Sequence, residues 1–176
     1  MSEKIEVLIT EEQLDKRICE IAEEITRDFG SKDITLVCVL KGGVMFMVDI
    51  AKKLKQKVEF EFIDVSSYGN NTVSSGTVTI NNGLETSIEG KNVILLEDIV
   101  DTGRTLSHLI KYLKEKNPAS LKLCTLLDKP SRRVVDINAD YIGFTIPDAF
   151  IVGYGLDYAQ KYRNLPYIGI LHLENE

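Results

Sequence analysis

The stretch that most limits what this chain can fold into runs from Asn92 to Leu106 and reads NVILLEDIVDTGRTL. Val93, Ile94, Leu95 and Leu96 form an unbroken apolar run. That is the pattern of a strand buried on both faces of a parallel sheet, since a strand with one wet face would alternate. The run stops at Glu97 and Asp98, and Asp101 follows three residues later. Thr102, Gly103, Arg104 and Thr105 then lead into Leu106, Leu109, Ile110 and Leu113, apolar positions at helical spacing. The spacing predicts a strand, an acidic tip, a small polar loop and a helix. In an open α/β sheet, ligands collect at the carboxyl ends of strands, and backbone N–H groups at the next helix start favour phosphate. The loop is therefore an anion cradle, and the two carboxylates before it are acceptors for a pair of hydroxyls such as a ribose diol. A phosphorylated sugar satisfies both halves at once.

This segment closely resembles the phosphoribosyl-pyrophosphate (PRPP) signature of the type I phosphoribosyltransferases: an apolar strand, two acidic residues, two apolar residues, then Asp-Thr-Gly-x-Thr. The plainer alternative is an acidic strand end capping an ordinary helix, since Asp and Thr are common at helix N-termini. Two other phosphate-handling designs fail on spacing. The chain has no Gly-x-x-x-x-Gly-Lys-Ser/Thr loop. A receiver-type site would place an acidic pair and a lone phosphoacceptor on different strands, whereas Glu97, Asp98 and Asp101 share one tip. The resemblance implies an α/β fold, with a central mostly parallel sheet flanked by helices, a small hood and a flexible loop.

At 176 residues the chain is most economically one domain, 1–176, long enough for a sheet covered on both faces. Its net charge of −6 argues against broad nucleic-acid binding. Cys19, Cys38 and Cys124 are odd in number, widely spaced and set in apolar pattern, as expected of reduced core thiols in a cytoplasmic protein. No signal-peptide core precedes the first helix, and no apolar run is long enough to span a bilayer, so no membrane partner is expected.

Thr10 with Gln13 forms a capping box ahead of a helix with Leu14, Ile18, Ile21, Ala22, Ile25 and Phe29 on one face, and Gly30 is placed to end it. Ile34 to Leu40 reads as a second buried strand running into Lys41-Gly42-Gly43 before an apolar helix from Val44 to about Leu54. Such a turn brings backbone N–H groups and one cation against a phosphate. It resembles the Leu-Lys-Gly-Gly loop with which purine phosphoribosyltransferases hold pyrophosphate, where the bond before the lysine can be cis. Val58 to Ser66 reads as a strand, with Phe60 and Phe62 alternating with Glu59 and Glu61. Residues 66–76 are rich in Ser, Asn and Gly, a long hairpin tip or a lid. Ser67-Tyr68 resembles the pair on the mobile loop that closes over pyrophosphate in hypoxanthine-guanine members of the family. A strand at Thr77 to Ile80 and a turn at Asn81-Asn82-Gly83 are expected next.

After a helix ending near Lys116, Ser120 to Leu127 reads as a strand whose tip carries Lys129. The last third, from Tyr141 through IPDAFIVGYGLDYAQKYRNLPYIGIL, is similar to the purine end of the hypoxanthine-guanine phosphoribosyltransferases. The resemblance implies that Lys129 donates to a purine 6-oxo group, that Phe150 stacks on the base, and that the backbone of Ile151 meets its edge. It also implies that Asp157, with Glu97 and Asp98, serves a Mg²⁺ ion, and that Lys41, Gly42 and Arg163 hold pyrophosphate. Glu97 and Asp98 would hold the ribose hydroxyls, Asp101 to Thr105 would cradle the 5′-phosphate, with Arg104 contributing only backbone, and Asp101 would exchange a proton with purine N7. The expected chemistry is 5-phosphoribosyl transfer from PRPP to hypoxanthine or guanine in a homodimer or homotetramer. A PRPP-sensing, nucleic-acid-binding regulator on the same fold is the alternative from another class, and an orotate- or uracil-directed transferase a weaker one. The acidic charge balance and the purine set from Lys129 to Asp157 stand against both.

Overall fold

The structure is a computed structural model and describes residues 2–67 and 78–174. The chain opens with strand β1 (Ser2–Ile9), followed by helix α1 (Glu11–Phe29). Thr10 Oγ1 accepts the Gln13 N–H (3.2 Å) and Gln13 Oε1 accepts the Thr10 N–H (2.8 Å), so the expected capping box is formed. Strand β2 (Ile34–Leu40) leads through the Lys41-Gly42-Gly43 turn into α2 (Val44–Lys53), and the Leu40–Lys41 peptide is cis. Next come β3 (Val58–Ser67), β4 (Val78–Asn82), β5 (Asn92–Val100), α3 (Arg104–Lys114) and β6 (Ser120–Asp128). A short 3₁₀ turn, Pro130–Arg132, precedes β7 (Tyr141–Thr145), β8 (Ile151–Val152) and β9 (Ile168–Glu174).

Among the described residues the strands form two sheets. The larger has the order β4-β3-β2-β5-β6-β7, with β3, β2, β5, β6 and β7 parallel and β4 antiparallel at one edge. This is the expected α/β architecture. Both faces are covered, which explains why β2 and β5 read as unbroken apolar runs. Leu36, Cys38, Ile94 and Leu96 point into the core beneath α1 and α2. Their neighbours Val37, Val39, Val93 and Leu95 point into a second core with Leu106, Leu109 and Leu113 of α3. Burying a side chain of this size stabilises by about 1.5–3 kcal/mol, so a polar residue anywhere in Val93–Leu96 would be costly. The smaller sheet, the expected hood, is antiparallel in the order β1-β9-β8 and joins the first described residues to the last (Ser2 opposite Glu174).

Two sequence expectations are corrected. Strand β5 does not stop at Glu97 and Asp98 but runs on to Val100, so the acidic pair lies within the strand and Asp101 begins the loop. The expected Asn81-Asn82-Gly83 turn is displaced, because β4 continues through Asn82 and Asp64 faces Asn82 across the ladder. Helix α3 ends at Lys114, within two residues of the expected end. Strand β1 was not foreseen. In β3 the alternation marks a strand, yet its buried member is Glu61: its carboxylate accepts the N–H groups of Glu85 (2.9 Å) and Thr86 (3.1 Å), while Phe60 and Phe62 are exposed.

Candidate active site

The parallel strands β2, β5 and β6 end side by side, and their carboxyl ends carry most of the residues singled out above. Two adjoining cavities lie there. The first, about 320 Å³, is lined by Lys41, Gly42, Asp98, Thr102, Gly103 and Thr105, among others, with Glu97, Asp157 and Arg163 also on its wall. The second, about 390 Å³, is lined by Lys129, Arg132, Asp148, Phe150, Ile151 and Leu156, among others. Asp101 and Ile99 belong to both.

The floor of the first cavity is set by β5. Glu97 is 8% exposed. Burial, and then the neighbouring Asp98 carboxylate, hold Glu97 well above the usual carboxylate range. Asp98 Oδ1 accepts the Ile99 N–H at 2.8 Å, and its Oδ2 lies 1.5 Å from where a Cβ on Gly42 would sit. A side chain at 42 would displace this carboxylate. Gly103 caps α3 at φ +82°, a left-handed conformation in which any side chain is strained. Thr102 and Thr105 face the cavity, and Arg104 contributes its N–H to Thr102 Oγ1 at 3.4 Å. Gly103 offers no side chain to cap α3, so the helix start turns backbone N–H groups, the polarity that suits an anion, toward the first cavity.

On the opposite wall Arg163 is held by three contacts. Its Nη1 donates to Gly155 O (2.7 Å), and its Nη2 contacts Asp157 Oδ1 (2.7 Å) and Gln160 Oε1 (3.3 Å). Asp157 also accepts the Gln160 N–H at 2.8 Å. Asp157 was expected at both the base and the metal, and it stands on the wall of the first cavity, not the second. Among the described residues, no three carboxylate, imidazole or thiolate groups converge as a metal cage. The carboxylates of Asp98 and Asp157 instead suit a hard ion that keeps water and substrate oxygens for most of its ligands.

The second cavity combines apolar lining (Ile99, Phe150, Ile151 and Leu156) with two cations, Lys129 and Arg132, and two carboxylates, Asp101 and Asp148. Phe150 is 53% exposed, an open face for a large aromatic, and meets Tyr158 edge to face at 5.5 Å. Ile151 is buried in β8 and pairs with Ile170. Lys129 is 8% exposed; its Nζ donates to Ala149 O at 2.6 Å and lies 3.7 Å from Asp148 Oδ1. One of its three donors is thus taken by a carbonyl, leaving capacity for a second acceptor.

Ser67 ends β3, paired through its backbone to Val78. Tyr68 and the rest of the expected mobile loop, to Gly76, lie outside the described residues, as does Thr77, the expected start of the next strand. Sequence reasoning passed over three residues that shape the site. Arg133 donates to Asp101 O (3.0 Å), Ile137 O (2.5 Å) and Val100 O (3.4 Å), and pairs with Asp128. Arg132 Nε reaches Asp101 Oδ1 at 3.1 Å, and Asp148 faces both Arg132 and Lys129. The signal available was the cation run Lys129-Pro-Ser-Arg-Arg beside a strand tip, which looks like solvated surface in sequence.

A strand-end anion cradle flanked by acidic side chains on a mostly parallel sheet is the design of an enzyme that handles a phosphorylated sugar. The model of the phosphoribosyl transferase domain matches residues 9–159, and the chain belongs to that family, in its type I fold. It is 51% identical over 165 residues to the hypoxanthine-guanine phosphoribosyltransferase of Bacillus subtilis (strain 168), covering 94% of this chain and 92% of that one. It is 52% identical over 168 residues to the bifunctional protein TilS/HprT of Listeria monocytogenes serotype 4b (strain F2365), and spans 26% of that relative's length. The crystal structure of a hypoxanthine-guanine phosphoribosyltransferase from Bacillus anthracis, with HEPES in its active site, superposes with a TM-score of 0.91 at 49% identity, covering 95% of this chain and 99% of that one.

Proposed function

We propose that this protein is a purine-salvage enzyme that transfers the 5-phosphoribosyl group of PRPP to hypoxanthine, and to guanine, releasing pyrophosphate and IMP or GMP. The observation that carries the reading is the pair of cavities sharing Asp101: one suited to an anionic sugar, the other to a flat base with a 6-oxo acceptor. The identity to transferases of that name over nearly the whole chain supports it.

In this reading the loop from Asp101 to Thr105 holds the 5′-phosphate through the amides at the start of α3 and the Thr102 and Thr105 hydroxyls. Glu97 and Asp98 meet the ribose hydroxyls, and the charge of Asp98 faces the positive charge that develops at the anomeric carbon as the bond to pyrophosphate stretches. Lys41, Gly42 and Arg163 receive the leaving group. Asp101 stands between the two reacting partners and takes the proton from purine N7. Lys129 donates to the 6-oxo oxygen; adenine would present a donor there and leave both groups unpaired. Phe150 stacks on the ring, and the backbone of Ile151 meets its edge. Asp98 and Asp157 would hold Mg²⁺, which when bound would offset charge on the pyrophosphate. Glu97, on the wall of the same cavity, would serve that ion with them.

The enzyme works in the cytoplasm without nucleic-acid or membrane partners; no helix among the described residues is long and apolar enough to cross a bilayer. It assembles as a homodimer or homotetramer. Exposed Phe60 and Phe62 lie on the sheet face that α2 covers, and Met45 and Val48 of α2 are exposed as well, the kind of apolar surface that a second copy buries. The test is pyrophosphate release from PRPP and Mg²⁺ with hypoxanthine, guanine, xanthine or adenine. Turnover with the 6-oxopurines alone is expected; no turnover with any base would favour a PRPP-sensing regulator.

A further inference from the structure

The base cavity contains a side chain that the mechanism above leaves without a task. Arg132, at the end of the 3₁₀ turn, spans two carboxylates carried by different loops. Its Nε donates to Asp101 Oδ1 at 3.1 Å, and its Nη1 lies 3.6 Å from Asp148 Oδ2. Asp101 follows β5, whereas Asp148 precedes β8, so the guanidinium crosses the cavity from one wall to the other. A planar guanidinium held along two of its edges is a rigid donor, unlike an ammonium on a free stem.

The backbone of Asp101 is already fixed by other groups. Arg133 Nε donates to Asp101 O at 3.0 Å, and the N–H groups of Val134 and Val135 donate to Thr102 O at 3.1 and 3.2 Å. What these bonds leave undetermined is the rotation of the Asp101 carboxylate, a broad torsion with no sharp preference of its own. Arg132 acts on that one freedom. It engages Oδ1 and not Oδ2.

Resting on the reading of Asp101 as the group that exchanges the N7 proton, we propose that Arg132 is a positioning residue, anchored on Asp148, that orients the Asp101 carboxylate toward the purine. The proton passes from N7 to Oδ2 while the Nε–H bond to Oδ1 persists. Arg132 makes no bond to substrate, so its effect on rate runs entirely through Asp101.

A double-mutant cycle tests this, using Arg132→Met, Asp101→Asn and the pair, with Arg132→Lys as the conservative variant. Arg132→Met should lower kcat with hypoxanthine by about tenfold and leave KM for PRPP within about twofold. Arg132→Lys should restore part of the loss, and in the Asp101→Asn background Arg132→Met should cost less than about twofold. Unfolding midpoints should stay within about 2 °C of wild type, because the Arg132 side chain is half exposed. Equal losses in both backgrounds, a loss confined to KM for PRPP, a lowered midpoint, or unchanged kcat would each overturn the proposal. If the wild type turns over and Arg132→Met matches it, the positioning role alone fails. If the wild type turns over no 6-oxopurine, the transferase reading fails and takes this proposal with it.

Discussion

Gly155 rests on the backbone of Gly42: a Cβ built at Gly155 would meet the Gly42 carbonyl oxygen at 2.0 Å. The contact presses the segment that carries Asp157 against the turn that carries Lys41. Gly155 also has φ +103°, where L side chains are strained. Gly155→Ala therefore combines overlap with backbone and torsional strain. It should destabilise the protein by about 2–4 kcal/mol and raise KM for PRPP, as read by urea unfolding and initial rates. An unchanged urea midpoint would show that the two segments part freely.

Asp101→Asn keeps the size of the side chain and removes its basicity. The expected result is a fall in kcat of about 100-fold with KM for PRPP nearly constant, because the phosphate cradle rests on α3 amides and threonine hydroxyls. Steady-state kinetics with hypoxanthine measure both. A kcat close to wild type would remove Asp101 from proton transfer.

Lys129→Ala deletes the buried cation that donates to Ala149 O at 2.6 Å and faces the base cavity. The ratio of kcat/KM for hypoxanthine over adenine should fall by about 10-fold or more, since one charged donor to a 6-oxo group is worth about 1.5–3 kcal/mol. Competition between the two bases gives the ratio directly, and an unchanged ratio places base selection elsewhere.

Tyr154 Oη donates to Asp49 Oδ2 at 2.5 Å, tying the segment before Asp157 to α2. Burial raises the Asp49 carboxyl, but hydrogen bonds from Lys52 and Tyr154 and the charges of Lys52 and Lys53 outweigh it, so its net position is below the ordinary 3.8. A carboxylate lowered on folding adds stability that is full above its unfolded value and is lost as pH falls through its folded one. Asp49→Asn should thus cost about 1 kcal/mol at pH 7, after allowance for solvent screening. The cost should vanish as the pH drops below 3.8. Urea titrations at several pH values measure the difference, and a gap that widens in acid would contradict the assignment.

Arg133→Lys is not a mild change. The guanidinium serves the carbonyls of Val100, Asp101 and Ile137 and the Asp128 carboxylate together, a spread of acceptors that one ammonium cannot cover. A loss of about 2–3 kcal/mol in unfolding free energy is expected. A denaturation curve overlapping wild type would mean that the loop from Pro130 to Ile137 holds itself.

The elements of the central sheet were legible because burial on both faces leaves an unbroken apolar signature, as in Ile34 to Leu40 and Val93 to Leu96. Helix α1 was legible from a cap and a stripe that need no tertiary partner. Strand β1 was not, since its ladder partner lies at the far end of the chain and Val7 stays exposed. Glu61 misleads for the opposite reason: a carboxylate is buried where backbone donors from residues 85 and 86 converge, a satisfaction invisible in local pattern. The acidic pair, the Asp101 loop and the purine-end residues could be placed from resemblance. The bonds of Arg132, Arg133 and Asp148 depend on loop packing, and charged residues in loops carry no periodicity from which to infer partners.

The wall made by Ile99 and Asp101 has a thermodynamic consequence. A residue common to two cavities cannot respond to an occupant of one without altering the other. In the proposed function base and sugar phosphate are then linked ligands, and linkage is reciprocal: the factor by which bound PRPP changes affinity for the base equals the factor by which bound base changes affinity for PRPP. A variant at either wall position that alters one of these factors must alter the other equally.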